Sequence, residues 1–147
     1  MRSHPSQMLR SLYVGFFQIP RLPEALLSAS GYRSLKDAIV RTSRPGTFSD
    51  EDVAQYEKAW SQPGALTTML NWYRALPFRP AMKDPAVRAP TLVIWGTRDR
   101  FLEKGLAEAS LALCRSGSVR WIESATHWVQ HEEPDAVNAA MVEFLKS

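Results

Sequence analysis

Between Pro90 and Gly96 the chain runs Thr91-Leu92-Val93-Ile94-Trp95, five residues without a charge, a glycine or a proline. A continuous apolar, β-branched and aromatic run of this length is the pattern of a strand buried on both faces of a parallel sheet. A parallel neighbour requires a crossover, and the following residues supply one. Residues 103–115 read as a helix, Val119-Arg120-Trp121-Ile122 as a second strand, and residues 134–146 as an amphipathic closing helix through Ala136, Val137, Ala140, Met141, Phe144 and Leu145. Together they predict one right-handed β-α-β-α unit and an α/β fold class.

Upstream the texture differs. Residues 6–85 read as four or five short helices, punctuated by Pro20, Pro23, Gly31, Pro45-Gly46 and Pro63-Gly64, with no strand between them. Met8, Leu9, Leu12, Tyr13, Phe16 and Phe17 recur at three- and four-residue spacing, an aromatic stripe on a helix that stops at Pro20. Ser49 can cap the amide of Asp52 and start a helix that buries Val53, Tyr56 and Trp60. Another covers about residues 65–76, with Leu66, Met69, Leu70, Trp72 and Tyr73. Pro77, Pro80, Pro85 and Pro90 then forbid a long regular element and mark a linker. The division expected is a helical domain over 1–85 and an α/β domain over 86–147.

Composition narrows the function classes. Eighteen Lys and Arg against fifteen Asp and Glu give a net charge of +3, spread singly, which argues against a nucleic-acid partner. The single cysteine, Cys114, excludes a disulfide scaffold and reads as a buried, inert thiol in an apolar helical segment beside Leu111 and Leu113. No apolar run approaches the ~20 residues of a membrane span, and His4 and Pro5 break any leader-like stretch. A cytoplasmic protein is the default expectation.

Two residues carry chemistry. Asp99 stands on the turn after the first strand and His127 on the turn after the second, which is two thirds of a nucleophile–His–acid arrangement. An Asp on such a turn also commonly does no more than satisfy nearby backbone amides. His131 and His4 lack comparable placement and read as structural, and no His or Cys spacing suits zinc, so no metal site is expected. None of the seven glycines has another four residues later, so the chain holds no G-x-[Ser/Asp/Cys]-x-G elbow.

The run from Pro90 to Asp99, with Ala125-Thr126-His127-Trp128-Val129-Gln130-His131-Glu132-Glu133-Pro134, resembles the C-terminal end of an α/β-hydrolase. The helical half is similar to the cap, or lid, of the epoxide hydrolase branch of that superfamily. Leu12-Tyr13-Val14-Gly15-Phe16-Phe17-Gln18-Ile19-Pro20 and Leu70-Asn71-Trp72-Tyr73-Arg74 look like the two cap segments that supply epoxide-holding tyrosines. Ser3-His4-Pro5 looks like the His-Pro that enters the cap.

The resemblance implies a fold comprising the C-terminal part of an α/β-hydrolase, with Asp99 and His127 as catalytic residues and Tyr13, Tyr73 and Trp72 around a small apolar substrate such as an epoxide. Two phenol donors suit the alkoxide charge that develops as the ring opens, and a His held by a carboxylate suits activation of water against an ester. No cofactor is implied. The family's nucleophilic Asp and its His-Gly-x-Pro oxyanion segment have no counterpart here, so the chain is expected to be an incomplete portion that cannot turn over alone and that associates through an open strand edge. A haloalkane or haloacetate dehalogenase of the same superfamily is the alternative enzyme, against which the paired tyrosines argue. A non-catalytic helical module binding an apolar ligand or partner is the alternative outside enzymology.

Overall fold

The computed structural model describes residues 7, 10–78, 80 and 84–146. Ser3-His4-Pro5, Met8 and Leu9, singled out above, lie outside them. The chain forms two compact units, one from residues 1–41 and 45–81 and the other from residues 42–44 and 82–147.

The first unit is helical. Helix α1 (Leu12–Phe17) is followed by α2 (Leu22–Thr42), α3 (Asp50–Trp60), α4 (Ala65–Arg74) and a 3-10 turn, Leu76–Phe78. Ser49 begins α3 as expected: its hydroxyl accepts the Asp52 amide while the Asp52 carboxylate accepts the Ser49 amide, a capping box. Helix α4 buries Leu66 and Leu70, and Pro23, Ile39 and Trp60 are buried in the same unit. Helix α2 is broken over residues 29–32, where Ser30, Gly31 and Tyr32 are left-handed with φ of 52°, 64° and 59°. Only glycine takes that conformation freely, so Ser30 and Tyr32 hold it against local preference. The Tyr32 ring packs 6.2 Å from that of Trp60.

The second unit contains β1 (Thr91–Gly96), α5 (Lys104–Leu111), β2 (Gly117–Ile122), a single turn α6 (Val129–Glu132) and α7 (Pro134–Lys146). The strands are parallel, with Thr91 opposite Gly117, Val93 opposite Val119 and Gly96 opposite Ile122. This is the β-α-β-α order expected. Ile122, Ala125 and Val137 form the core, with Ile94 and Val129 packed against it.

Two expectations are corrected. Thr91–Trp95 was expected to be buried on both faces; all five residues are half-buried. The sheet of the described residues has two strands, so β1 gains ladder and side-chain cover from β2 along one edge alone. Cys114 is neither helical nor fully buried. Helix α5 ends at Leu111, and the chain beyond it bends into a parallel bridge between Cys114 and Val87.

Candidate active site

The Asp99 turn is built by backbone that leaves no room for a side chain at the end of β1. A Cβ on Gly96 would stand 2.1 Å from the Thr126 carbonyl oxygen and 2.6 Å from that of Ala125. The two turns are laced together across this contact, the Thr97 amide donating to the Ile122 carbonyl at 3.1 Å and the Arg98 amide to the Ala125 carbonyl at 3.0 Å. Asp99 and His127, 28 residues apart in sequence, are thereby brought face to face.

Their geometry is specific. His127 Nδ1 and Asp99 Oδ2 are 2.8 Å apart. The other carboxylate oxygen accepts the Phe101 amide at 2.7 Å and the Leu102 amide at 2.9 Å. Asp99 therefore satisfies local amides, as an Asp on a turn commonly does, and also holds the imidazole. Its side chain is 8% exposed. Burial by itself pushes the carboxyl up, but the His127 hydrogen bond and the two amides outweigh it and hold the group below its ordinary range. Asp99 is thus an anion at neutral pH, with acceptors only. Because the carboxylate can only accept, the proton in the 2.8 Å bond sits on His127 Nδ1, which leaves Nε2 as the nitrogen with a lone pair in a neutral ring.

The His127 side chain is 36% exposed. The ring is held edgewise between Phe101, at 5.0 Å between centroids, and Trp128, at 5.6 Å. Trp128 is itself tethered, its indole N–H donating to the Thr42 hydroxyl at 2.9 Å. His131 is exposed on α6, and no group of three or more His, Cys, Asp or Glu among the described residues suits a metal ion.

In the helical unit the two tyrosine segments meet. The rings of Tyr13 and Tyr73 lie 5.8 Å apart, edge to face, and Phe17 packs 5.3 Å from the first and 5.1 Å from the second. Arg74 fixes this arrangement. Its guanidinium binds both Glu24 oxygens, at 2.7 and 2.9 Å, and donates to the carbonyls of Phe17 and Ile19 at 3.0 and 3.1 Å. Helix α4 is so clamped to the turn that follows α1. The Arg74 guanidinium drives Glu24 down to about 2. Trp72, the third substrate-side candidate, presents an indole that is 80% exposed.

One buried group near His127 is not marked by any sequence motif. Glu132 is 7% exposed and accepts the Thr126 amide at 2.6 Å, the Thr126 hydroxyl at 2.7 Å and the Arg44 amide at 2.8 Å. The only signal available in the sequence was its place five residues after the candidate histidine.

Residues 5–140 match the model of the alpha/beta hydrolase family. The AB hydrolase superfamily protein YfhM of Bacillus subtilis is 43% identical over 145 residues, covering 98% of this chain and 51% of the relative. Epoxide hydrolase 2 of Caenorhabditis elegans is 37% identical over 146 residues, covering 95% of this chain and 41% of the relative. Among solved structures, an epoxide hydrolase of Bacillus megaterium in complex with an inhibitor superposes with a TM-score of 0.83 at 24% identity, covering 99% of this chain and 55% of that one. The chain spans about half the length of the relatives it matches.

Proposed function

Since the chain belongs to the α/β-hydrolase family, we propose that it supplies the water-activating pair and the ring-opening phenols of an enzyme that converts small apolar epoxides to vicinal diols. The observation that carries this reading is the 2.8 Å bond between His127 Nδ1 and Asp99 Oδ2. The paired tyrosines of α1 and α4 favour an epoxide over other electrophiles, because phenol O–H groups answer the alkoxide charge of ring opening.

In this scheme a nucleophilic carboxylate, from a segment outside these 147 residues, attacks an epoxide carbon. The carbon–oxygen bond of the ring breaks, and Tyr13 and Tyr73 donate to the departing oxygen. Trp72 contacts the apolar part of the substrate. The product of this step is an alkyl ester. His127 Nε2 then takes a proton from water, Asp99 stabilises the imidazolium, and the hydroxide attacks the ester carbonyl. Collapse breaks the bond between the acyl carbon and the diol oxygen, the imidazolium returns its proton to that oxygen, and the proton left on the regenerated carboxyl offsets the one the phenols gave to the first alkoxide, so one water is consumed per turnover. The same proposal has the remainder of the hydrolase sheet adding a strand along the edge of β1 that faces away from β2.

The test is a chimera in which these 147 residues replace the matching stretch of the Caenorhabditis elegans epoxide hydrolase 2, assayed on an aryl epoxide such as styrene oxide. The chimera is expected to form diol, and His127→Ala to slow it by about 10²–10⁴-fold, the usual worth of a general base. Mass spectrometry should then find the ester accumulating on the protein, since the first step does not use the imidazole. A folded, active chimera whose turnover ignores His127→Ala refutes the reading.

A further inference from the structure

The His127 loop is closed on itself by a carboxylate. Glu132, at the end of α6, reaches back six residues to take both the amide and the hydroxyl of Thr126, the residue immediately before His127. The α6 turn completes the ring, with the amides of His131 and Glu132 donating to the Trp128 carbonyl at 2.8 and 3.0 Å. Residues 126–132 therefore form one hydrogen-bonded circuit with the imidazole on its rim.

The circuit is fastened from outside by residues 42–44, which belong to the same compact unit. The Arg44 amide donates to Glu132 Oε1 at 2.8 Å, its guanidinium reaches the Glu132 carbonyl, and it pairs with Glu133 at 2.8 Å. Ser124 donates to that same Glu133 oxygen at 2.6 Å. Thr42 holds the Trp128 indole that flanks the imidazole. Every one of these bonds ends on a residue within six positions of His127, and none touches the imidazole itself.

From this we infer that Glu132 and Arg44 are positioning residues, which set the height and orientation of His127 above Asp99 without contacting a reactant. Burial alone pushes the Glu132 carboxyl up. The Thr126 amide and hydroxyl and Arg44 outweigh it and keep the group below its ordinary range, so it remains an acceptor for three donors. A glutamine there offers one acceptor oxygen and turns an N–H₂ group toward donors that need a lone pair. The inference rests on His127 being the proposed base, but the bond geometry can be tested without turnover.

The measurement is proton exchange at His127 Nδ1, followed by nuclear magnetic resonance on the full chain with ¹⁵N-labelled histidine. Asp99→Asn identifies the signal by abolishing the bond to the carboxylate. Glu132→Gln is expected to speed exchange of that proton at least tenfold, and Arg44→Ala to do so to a smaller extent. Backbone amide protection in β1 and β2 should be unchanged, which a general loss of stability would not allow. Thr126→Val should behave like Glu132→Gln, and Thr126→Ser, which keeps the hydroxyl, should restore slow exchange. If Glu132→Gln fails to fold, Thr126→Val and Arg44→Ala carry the test. Unchanged Nδ1 exchange in folded variants overturns the inference. Accelerated exchange together with a chimera indifferent to His127→Ala would uphold the positioning and sink the proposed hydrolysis.

Discussion

Replacing Gly96 by alanine adds one methyl at the point where the two turns touch. That carbon would lie 2.1 Å from one carbonyl oxygen and 2.6 Å from another, where ordinary contact starts at 3.4 Å. The strand end or the 125–126 backbone must retreat by about 1.3 Å, the difference between 3.4 and 2.1 Å. Both obstructing atoms are main chain, so no rotamer change gives relief. Overpacking of this kind costs about 1–3 kcal/mol, and losing the Arg98 amide bond to Ala125 adds ~1 kcal/mol. Against this, restricting the unfolded chain returns ~0.5–1 kcal/mol. The net expectation is a destabilisation of about 1–3.5 kcal/mol. Urea unfolding followed by circular dichroism measures it, with Gly15→Ala as the control. Gly15 sits inside α1 with nothing within 4 Å of its virtual Cβ, so alanine there should stabilise by ~0.5–1 kcal/mol. If Gly96→Ala shifts stability by less than ~0.5 kcal/mol, the close crossing of the turns is not what brings Asp99 to His127.

Two further outcomes follow from other parts of the molecule. Glu24 has a folded value of about 2 against an ordinary 4.5, so its bond to Arg74 contributes stability that is fully present above pH 4.5 and is lost as the pH falls through about 2. Since both side chains are 20% exposed, the loss should be on the order of 1 kcal/mol. Glu24→Gln should flatten the acid limb of a stability–pH curve; an unaltered slope between pH 4.5 and 2 would exclude the pair as its source. The chain expressed alone should self-associate through β1, giving a concentration-dependent mass in analytical ultracentrifugation, and a Lys in place of Val93 should reduce it. A strictly monomeric wild type at high concentration would count against an available strand edge.

The parts of this fold that follow from short-range rules were readable in advance. Pro90 and Gly96 bracket β1 because one removes a ladder donor and the other permits a backbone crossing. Ser49 announces α3 because its cap needs only the amide three residues on. Asp99 and His127 were readable for a related reason, each being placed at the end of a strand whose partner is the next strand along. Arg44 and Glu132 were not: they are separated by 88 residues, and nothing local to either position marks it as the other's partner. The left-handed run at Ser30 and Tyr32 was equally hidden, since neither residue prefers that conformation and Gly31 alone signalled a break. Cys114 was misplaced because helical apolar spacing continues through Leu113, whereas the backbone leaves the helix at Leu111 to bridge Val87.

The membership of residues 42–44 in the α/β unit bears on how such a protein can be recombined. Exchanging residues 1–81 with a homologue, as one would exchange a contiguous cassette, imports foreign side-chain partners for Glu133, the Glu132 carbonyl and the Trp128 indole. A shuffling scheme that treats Thr42, Ser43 and Arg44 as inherited with residues 124–133 keeps that lock and its key together. Natural drift should respect the same boundary, with positions 44 and 133, whose side chains pair at 2.8 Å, changing in concert rather than singly.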